Sequence, residues 1–256
     1  MFMEQFAFDP HAIANFVGGG GKTVLIHRLM QEYSAHGHAF CTTTTRVHPP
    51  DPREGFAVIS GDNLDLLRQM TESVVRNCSD HPFKLMVTRP YISPTLLRGV
   101  PPDFDNALDR ELFPIFLNEA DGAASFSLKM PKASEPVLME HAEYLVPVIG
   151  LDCLHGPIDS GTIFRWEQFV ENFPGYEMGR ITPQLAADIL MHAQGVCKGW
   201  KPGMKIVPFI NKVDDPGQDA AAMDLAHRIL HNANFPVERV LFGSVLHDRV
   251  ESIRAC

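Results

Sequence analysis

Residues 12–23 read AIANFVGGGGKT, and this stretch decides the fold that the sequence predicts. Its first half is mainly apolar, which is typical of a buried strand, and we place that strand at residues 12–17. Four glycines end the strand, and an amphipathic helix is predicted from Lys22 to about residue 36. A strand, a glycine loop and a helix in this order predict a site for phosphate groups.

The chemistry of this loop gives each residue a predicted role. Glycines let several backbone N–H groups turn toward one point, and the helix start adds positive charge at the same place. We expect Lys22 to contact the β- and γ-phosphates and the Thr23 hydroxyl to bind Mg²⁺. The predicted nucleotide contacts are Gly18, Gly19, Gly20, Gly21, Lys22 and Thr23. Phe16 stands where the common motif G-x-x-x-x-G-K-[ST] has its first glycine.

A second predicted element is acidic. An apolar run at residues 112–118, read as a strand, leads into Glu119, Ala120, Asp121 and Gly122. A phosphate-binding loop needs a carboxylate at the end of a neighbouring strand to hold the metal or position water. We assign Asp121 to the metal, and Glu119 to the metal's water or to a catalytic base. The predicted catalytic residues are therefore Lys22, Asp121 and Glu119.

A third element follows the strand predicted at residues 205–210. Asn211, Lys212, Val213 and Asp214 resemble the N-K-x-D element of GTPases. The Asp214 carboxylate can accept two N–H groups of guanine, the stem of Lys212 can lie over the purine, and Asn211 can connect the loops. We therefore expect GTP as the ligand, with ATP as the alternative and Mg²⁺ as the cofactor.

Composition limits the remaining choices. The chain has 256 residues, 45% of them apolar, and a formal net charge of −9, which argues against nucleic acid as the main partner. It has no membrane-spanning apolar run and no signal peptide, and five scattered cysteines predict reduced thiols, so we expect a cytoplasmic protein. The thiols are expected mostly in the core, with Cys256 exposed.

The pattern along the chain predicts an α/β fold. Short apolar runs alternate with helix-length segments, as in a P-loop NTPase-like three-layer sandwich with a mainly parallel sheet and helices on both faces. We expect one domain over residues 1–256, with residues 152–203 as a helical subdomain or lid.

Three groups of residues carry weaker signals. Thr42 and Thr43 suit a strand, whereas Thr44, Thr45 and Arg46 equally suit a place near the γ-phosphate. Any of Lys129, Lys132, Arg165 and Arg180 could act as a cation near the γ-phosphate, but each by itself is expected to be a solvated charge. His227 and His231 fit a wet helix face better than a metal site.

Several of these motifs together resemble the YqeC-like family of selenium-dependent hydroxylase accessory proteins. The resemblance rests on VGGGGKT (17–23), TTTT (42–45), LRGVPP (97–102), EADGA (119–123), LK (128–129) with EP (135–136), GLDCL (150–154), ITPQL (181–185), KG (198–199) and NKVD (211–214). Arg46 stands where the family pattern has a histidine. The resemblance implies a P-loop protein linked to the maturation of molybdenum hydroxylases, with a client enzyme or its molybdopterin cofactor as partner.

The sequence leaves three functions open. The first is a slow GTPase whose hydrolysis gates cofactor delivery. The second is a kinase or nucleotidyl-handling enzyme for a small acceptor such as a pterin, with Asp152 and Arg165 facing the cleft. The third is a non-catalytic module that uses the nucleotide structurally. No nucleic acid or membrane partner is expected, and a homodimer is left open.

Overall fold

The computed structural model describes residues 1–78, 81–176, 178–232 and 234–255. Its helices are α1 (Phe2–Phe6), α2 (Lys22–Tyr33), α3 (Leu64–Asn77), α4 (Trp166–Asn172), α5 (Pro183–Met191) and α6 (Asp219–Leu230). Its strands are β1 (Ile13–Gly18), β2 (Ala39–Thr43), β3 (Arg46–Val47), β4 (Phe56–Ser60), β5 (Lys84–Ser93), β6 (Leu96–Arg98), β7 (Phe116–Glu119), β8 (Leu128–Lys129), β9 (Tyr144–Gly150), β10 (Ile163–Phe164), β11 (Lys205–Ile206), β12 (Phe209–Asn211), β13 (Arg239–Ser244) and β14 (Arg249–Arg254).

Among the described residues, most strands form one sheet in the order β14-β13-β12-β9-β1-β7-β2-β5-β6-β3. Strand β11 pairs with β9, and β4 pairs with β5. The central pairs are parallel, and antiparallel pairs occur only toward the two ends, at β13–β14, β5–β6 and β3–β6. This confirms the predicted α/β fold with a mainly parallel sheet.

Helices cover both faces of the sheet because successive residues of a strand point to opposite sides. In β1, Phe16 packs with Leu25 and Leu29 of α2, whereas Val17 packs in a cluster with residues of α5 and α6. All six residues of β1 are buried, as expected for a central parallel strand. The three-layer prediction is therefore confirmed.

Side-chain caps define the start of two helices. The Asn63 side chain accepts a hydrogen bond from the Leu66 N–H at 3.0 Å, and the Thr182 hydroxyl accepts from the Leu185 N–H at 3.1 Å. Each bond satisfies one of the N–H groups that a helix start leaves unpaired. Pro183 follows Thr182 at the first helical position, where proline lacks only an N–H that would be unpaired in any case.

The segment 152–203 packs directly on the sheet. Its buried side chains Ile163, Phe169 and Leu185 belong to the same apolar cluster as Val17 of β1 and Ile149 of β9. Strand β10 of this segment pairs with β8 in a separate two-stranded sheet.

Two predicted strands have different bounds in the structure. The strand expected at 112–118 begins only at Phe116, because a short 3₁₀ turn occupies Arg110–Leu112. The strand expected at 205–210 is divided into β11 and β12, with Val207 and Pro208 between them. Pro147 lies inside β9 opposite Val17, so it does not interrupt that strand.

Two further sequence expectations can be compared with the described residues. Cys41, Cys153 and Cys197 are free and buried, as expected, whereas Cys78 is exposed and Cys256 lies outside the described residues. No helix in the described ranges has the length and apolarity needed to cross a membrane.

Candidate functional site

The predicted elements meet at the carboxyl edge of the sheet. Strand β1 lies between β7 and β9, and β12 lies on the other side of β9. The glycine loop, the acidic residues after β7 and the Asn211–Asp214 turn therefore emerge side by side. Ligands of open α/β sheets bind at this edge, outside the carboxyl ends of the strands.

The loop fits so closely against its neighbours that side chains are excluded. A Cβ atom on Gly20 would lie 2.1 Å from the Gly150 nitrogen, and one on Gly19 would lie 2.4 Å from the Phe126 carbonyl oxygen. Gly20 also has a φ of +78°, which favours glycine.

The first three glycine N–H groups of the loop donate to protein acceptors. Gly18 donates to both carboxylate oxygens of Asp121, at 3.1 and 3.0 Å. Gly19 donates to the Val148 carbonyl and Gly20 to the Phe126 carbonyl, each at 2.9 Å. These three N–H groups therefore hold the loop in place and are not free to bind a ligand.

The N–H groups at the start of α2 are different. Those of Gly21, Lys22 and Thr23 have no acceptor in the part of the chain that the structure describes. A helix start leaves such groups unpaired and carries partial positive charge. This end of α2 is therefore chemically suited to an anion.

Lys22 lies across the loop and is only 4% exposed. Its Nζ donates to the Gly18 carbonyl at 2.5 Å, and lies 3.1 Å from Asp121 Oδ1 and 3.8 Å from Glu119 Oε1. Burial acts to lower the pKa of Lys22, but the negative charges of Asp121 and Glu119 outweigh it and raise the pKa above its ordinary value. The side chain is therefore a cation.

Asp121 is fully buried between two lysines. Its Oδ2 lies 3.0 Å from Lys129 Nζ, and Lys129 lies 2.9 Å from Glu135 Oε2. Glu135 in turn contacts Arg165 at 3.1 Å. The charges alternate in sign from Lys22 to Arg165, as a buried chain of ions requires. The expectation that Lys129 is solvated is wrong, because its side chain is completely buried.

Glu119 is the last residue of β7, and its side chain contacts the first turn of α2. Its Oε2 accepts a hydrogen bond from Thr23 Oγ1 at 2.8 Å, and its side chain is 12% exposed. Burial raises the pKa of Glu119 above its ordinary value, while Lys22 and Thr23 act in the opposite direction. A carboxylate beside a hydroxyl offers two oxygen ligands of the type that Mg²⁺ prefers.

Asn211 connects the glycine loop to the turn after β13. Its Nδ2 donates to the Gly20 carbonyl at 2.8 Å, and its Oδ1 accepts from the Val245 N–H at 3.1 Å. The side-chain amide of Asn211 thus connects both loops, and Asn211 is buried.

Lys212 and Asp214 extend from the same turn in different environments. Lys212 has a φ of +62°, and its Nζ contacts Ser127 Oγ at 2.7 Å and Asp152 Oδ2 at 2.8 Å. The Asp214 carboxylate accepts a hydrogen bond from Ser244 Oγ at 2.5 Å, and Asp214 is exposed to solvent. Ser244 therefore fixes a carboxylate that remains accessible to a ligand.

A cavity of about 300 Å³ borders the loop. Its lining includes Phe126, Ser127, Asp152, Thr162 and Lys212. Phe126 is the residue whose carbonyl accepts from Gly20, so the cavity and the loop share a wall. Asp152 lines this cavity, as predicted for a cleft residue, whereas Arg165 pairs with Glu135 and stacks on Phe164.

Sequence reasoning missed three residues that hold the site together, namely Ser127, Glu135 and Ser244. Their signal in the sequence is weak, because serine and glutamate are common on surfaces. The partners of Ser127 and Ser244 lie 85 and 30 residues away along the chain, whereas Glu135 pairs with Lys129, six residues before it. Among the described residues, no group of three or more His, Cys, Asp and Glu side chains is placed to hold a metal ion.

The comparisons agree with part of this picture. A family model described as YqeC protein matches residues 14–167, which is more than half of the chain and includes the loop, Glu119 and Asp121. The Asn211–Asp214 turn lies outside the matched residues. No curated protein and no solved structure matches the chain.

Proposed function

The chain belongs to the YqeC family, and we propose that it binds GTP at the glycine loop and hydrolyses it slowly. Membership of this family fits an accessory role in the maturation of a selenium-dependent hydroxylase. The nucleotide function is our own inference from the site.

One observation carries the proposal. The N–H groups of Gly21, Lys22 and Thr23 lack acceptors among the described residues and stand beside the buried ammonium of Lys22. Phosphate oxygens are the ligands that such a helix start and lysine recognise together. In this proposal Gly18, Gly19 and Gly20 shape the loop, since their N–H groups already bond to the protein.

We assign the metal side of the site to Thr23 and Glu119. The Thr23 hydroxyl and the Glu119 carboxylate would hold Mg²⁺, which supplies positive charge next to the phosphates. The metal contact predicted for Asp121 is not retained here, because both of its oxygens accept from Gly18 and each lies near a lysine. The role left for Asp121 is to position Lys22 and the loop.

Hydrolysis would use the groups that remain. Water attacks the γ-phosphorus, the bond to the bridging oxygen breaks, and GDP and phosphate leave. Lys22 would offset the charge that grows on the leaving oxygen. The proton of the attacking water would pass to the phosphate that leaves, because the Glu119 carboxylate is engaged by the metal and by Thr23. The N–H groups of Gly18, Gly19 and Gly20 already donate to the protein and would not be available to the γ-phosphate, so the rate is expected to be low.

Guanine would be read at Asp214. Its carboxylate is exposed, and Ser244 fixes its direction through the bond to Oδ1. Two N–H groups of guanine match such a carboxylate, whereas adenine lacks the matching pair. Asn211 would transmit base binding to the loop, since it contacts Gly20 and Val245 together.

The physiological role would be coupled to a client. We propose a cytoplasmic protein in which hydrolysis gates delivery of the molybdopterin cofactor, or of a maturation step, to a molybdenum hydroxylase. The support is the family membership.

The cavity beside the loop favours a second candidate, transfer of a phosphoryl or nucleotidyl group to a small acceptor. Ser127, Asp152 and Lys212 would bind polar groups of that acceptor. Release of GDP in phosphoryl transfer, or of pyrophosphate in nucleotidyl transfer, that rises with an added pterin above the rate with water alone would favour this candidate over the GTPase.

Competition between nucleotides tests the assignment of the base. A fluorescent GTP analogue bound with Mg²⁺ should be displaced by GTP at far lower concentration than by ATP. Replacing Asp214 with alanine should remove the preference, whereas D224A on the exposed face of α6 should keep it. Equal displacement by GTP and ATP in the unmodified protein contradicts guanine recognition, and bound nucleotide without turnover contradicts hydrolysis.

A further inference from the structure

Three arginines lie side by side on neighbouring strands, outside the site described so far. Arg46 of β3 is opposite Arg98 of β6, and Arg98 is opposite Arg89 of β5. Directly opposite residues of antiparallel strands project on the same face, about 5 Å apart. The three guanidinium groups therefore share one face and arise within about 10 Å of each other.

The carboxylates near these arginines are too few to neutralise them. Within the described ranges, Asp62 is the only carboxylate within ion-pair distance, and it uses one oxygen, Oδ1, for both Arg89 and Arg98. Arg46 makes no ion pair with any described residue and is exposed. Like charges placed directly opposite each other destabilise a sheet, so this arrangement has an electrostatic cost that an anion would relieve.

The backbone holds the arginines in place. A Cβ atom on Gly99 would lie 2.5 Å from the Thr43 carbonyl oxygen, so only glycine lets residues 98–100 pack against the threonine run. The Gly99 N–H donates to the Thr45 carbonyl at 2.6 Å, and the Val100 N–H to the Thr43 carbonyl at 2.8 Å. Arg98 is thereby fixed directly beside the turn that carries Arg46.

The position of the cluster points to a ligand of the same reaction. Strand β2 pairs with β7, where Thr43 is opposite Glu119, and β5 pairs with β2 on its other side. Residues 89–93 of β5 extend past the carboxyl end of β2. The arginines therefore lie along the same edge of the sheet as the glycine loop, two strands beyond Glu119.

We propose that Arg46, Arg89 and Arg98 form a binding site for the phosphate group of a small molecule other than the nucleotide. Guanidinium groups match phosphate oxygens with paired N–H donors, and a dianion suits three cations with a single carboxylate between them. The site would hold the second ligand at the carboxyl edge while the glycine loop holds the first. It does not depend on the nucleotide assignment.

Inorganic phosphate is the probe that tests the site, added at constant ionic strength to the ¹⁵N-labelled full chain. The Nε–Hε signals of Arg89 and Arg98 should shift along a saturating curve, both in the unmodified protein and in K22A. Affinity should fall at least about tenfold in R98Q and in R46Q, since each loses charge-assisted hydrogen bonds. Affinity should rise in D62N, which removes the competing carboxylate, and should stay unchanged in R53Q on an exposed 3₁₀ turn.

Several results would overturn the proposal. Loss of phosphate binding in K22A with retention in R98Q and R46Q would assign the anion to the glycine loop. Arginine Nε–Hε shifts that depend only on ionic strength would show that phosphate has no specific site at the three arginines. A loss of affinity in R53Q as large as in R98Q and R46Q would show the same. Saturation by an acidic peptide at lower concentration than phosphate would assign the cluster to a protein partner. R46Q is expected to fold even if R98Q does not, because Arg46 is exposed and makes no side-chain contact that the described fold needs.

Discussion

At the scale of single residues, the site is organised by buried charges of alternating sign. Lys22 and Lys129 flank Asp121, and Glu135 follows on the far side of Lys129. Ions removed from water need partners at close range, and a missing partner leaves an uncompensated charge. The stability of the loop therefore depends on Asp121, which contacts Gly18, Lys22 and Lys129 together.

Replacing Asp121 with asparagine should destabilise the protein strongly. The change keeps the shape of the side chain but leaves Lys22 and Lys129 as buried cations facing a neutral group. We expect the free energy of unfolding to fall by about 3–5 kcal/mol. Urea denaturation measures this, with D65N on the exposed start of α3 as the control. Equal losses in the two variants would contradict the role assigned to Asp121.

His38 gives a pH dependence of known sign. It is buried against Phe83, with ring centroids 4.6 Å apart, and burial lowers the pKa of His38 below its ordinary value of 6.5. The unfolded chain then binds a proton that the native state refuses, so stability is complete above pH 6.5 and is lost as the pH falls through the folded-state pKa. In H38Q this part of the pH dependence should disappear.

The matched control for that measurement is H36Q, at an exposed position two residues earlier. Unfolding by urea at a series of pH values should give H36Q the same pH profile as the unmodified protein. A profile for H38Q that stays parallel to the unmodified one would refute the prediction.

The sequence predicted where these candidate residues meet better than it predicted their contacts. Lys22, Thr23, Glu119 and Asn211 follow strands that the pattern identifies, so their meeting at one edge follows from the parallel sheet. The bonds of the Gly18, Gly19 and Gly20 N–H groups depend on segments more than 100 residues away in the chain. Such pairings are set by tertiary packing, which no local pattern encodes.

At the scale of elements, the glycine loop is fixed by close approach as much as by φ. The loop lies against the end of β9 and the segment that carries Phe126. These contacts predict which glycine is replaceable. Gly122, after the acidic strand, serves as a matched comparison, because a Cβ atom added there would have no atom within 4 Å.

Alanine at position 20 should damage both stability and nucleotide binding. Its Cβ would lie 2.1 Å from the Gly150 nitrogen, which forces the loop away from β9. A small side chain in such a strained position typically costs about 1–3 kcal/mol. Thermal unfolding and binding of a fluorescent GTP analogue measure the two effects, and G122A should change neither. An unaltered G20A protein would show that the loop adapts without cost.

The elements also show where patterns are insufficient. Helices α3 and α5 begin at the side-chain caps Asn63 and Thr182, residue types that favour a helix start. Strand β14 was missed because its residues RVESIR are mostly charged or polar, and it pairs only along one side with β13. An edge strand needs little apolar character, so periodicity gives no signal for it.

At the scale of the whole molecule, the segment 152–203 shares its core with the sheet. Phe169, Leu185 and Ile189 are buried in the cluster that contains Val17 and Ile149. We therefore propose a fixed cover within a single cooperative unit. A separately folding lid would need a core of its own.

The two tryptophans, Trp166 and Trp200, both lie in this segment and report on it selectively. Urea unfolding followed by tryptophan fluorescence should coincide with unfolding followed by far-ultraviolet circular dichroism, since one core gives one transition. L185A should move both curves together and lower the free energy of unfolding by about 2–5 kcal/mol. A fluorescence transition at lower urea than the circular dichroism transition would indicate a separate lid.

The central claim is that the start of α2 and Lys22 bind the phosphates of a nucleotide, and calorimetric titration with GTP and Mg²⁺ tests it most directly. The account predicts saturable binding to the unmodified protein, unchanged binding to K201A at an exposed position, and at least about a hundredfold weaker binding to K22A, which loses charge-assisted contacts to two phosphates. Equal binding by K22A and K201A, or no binding of GTP or ATP by the unmodified protein, would contradict it.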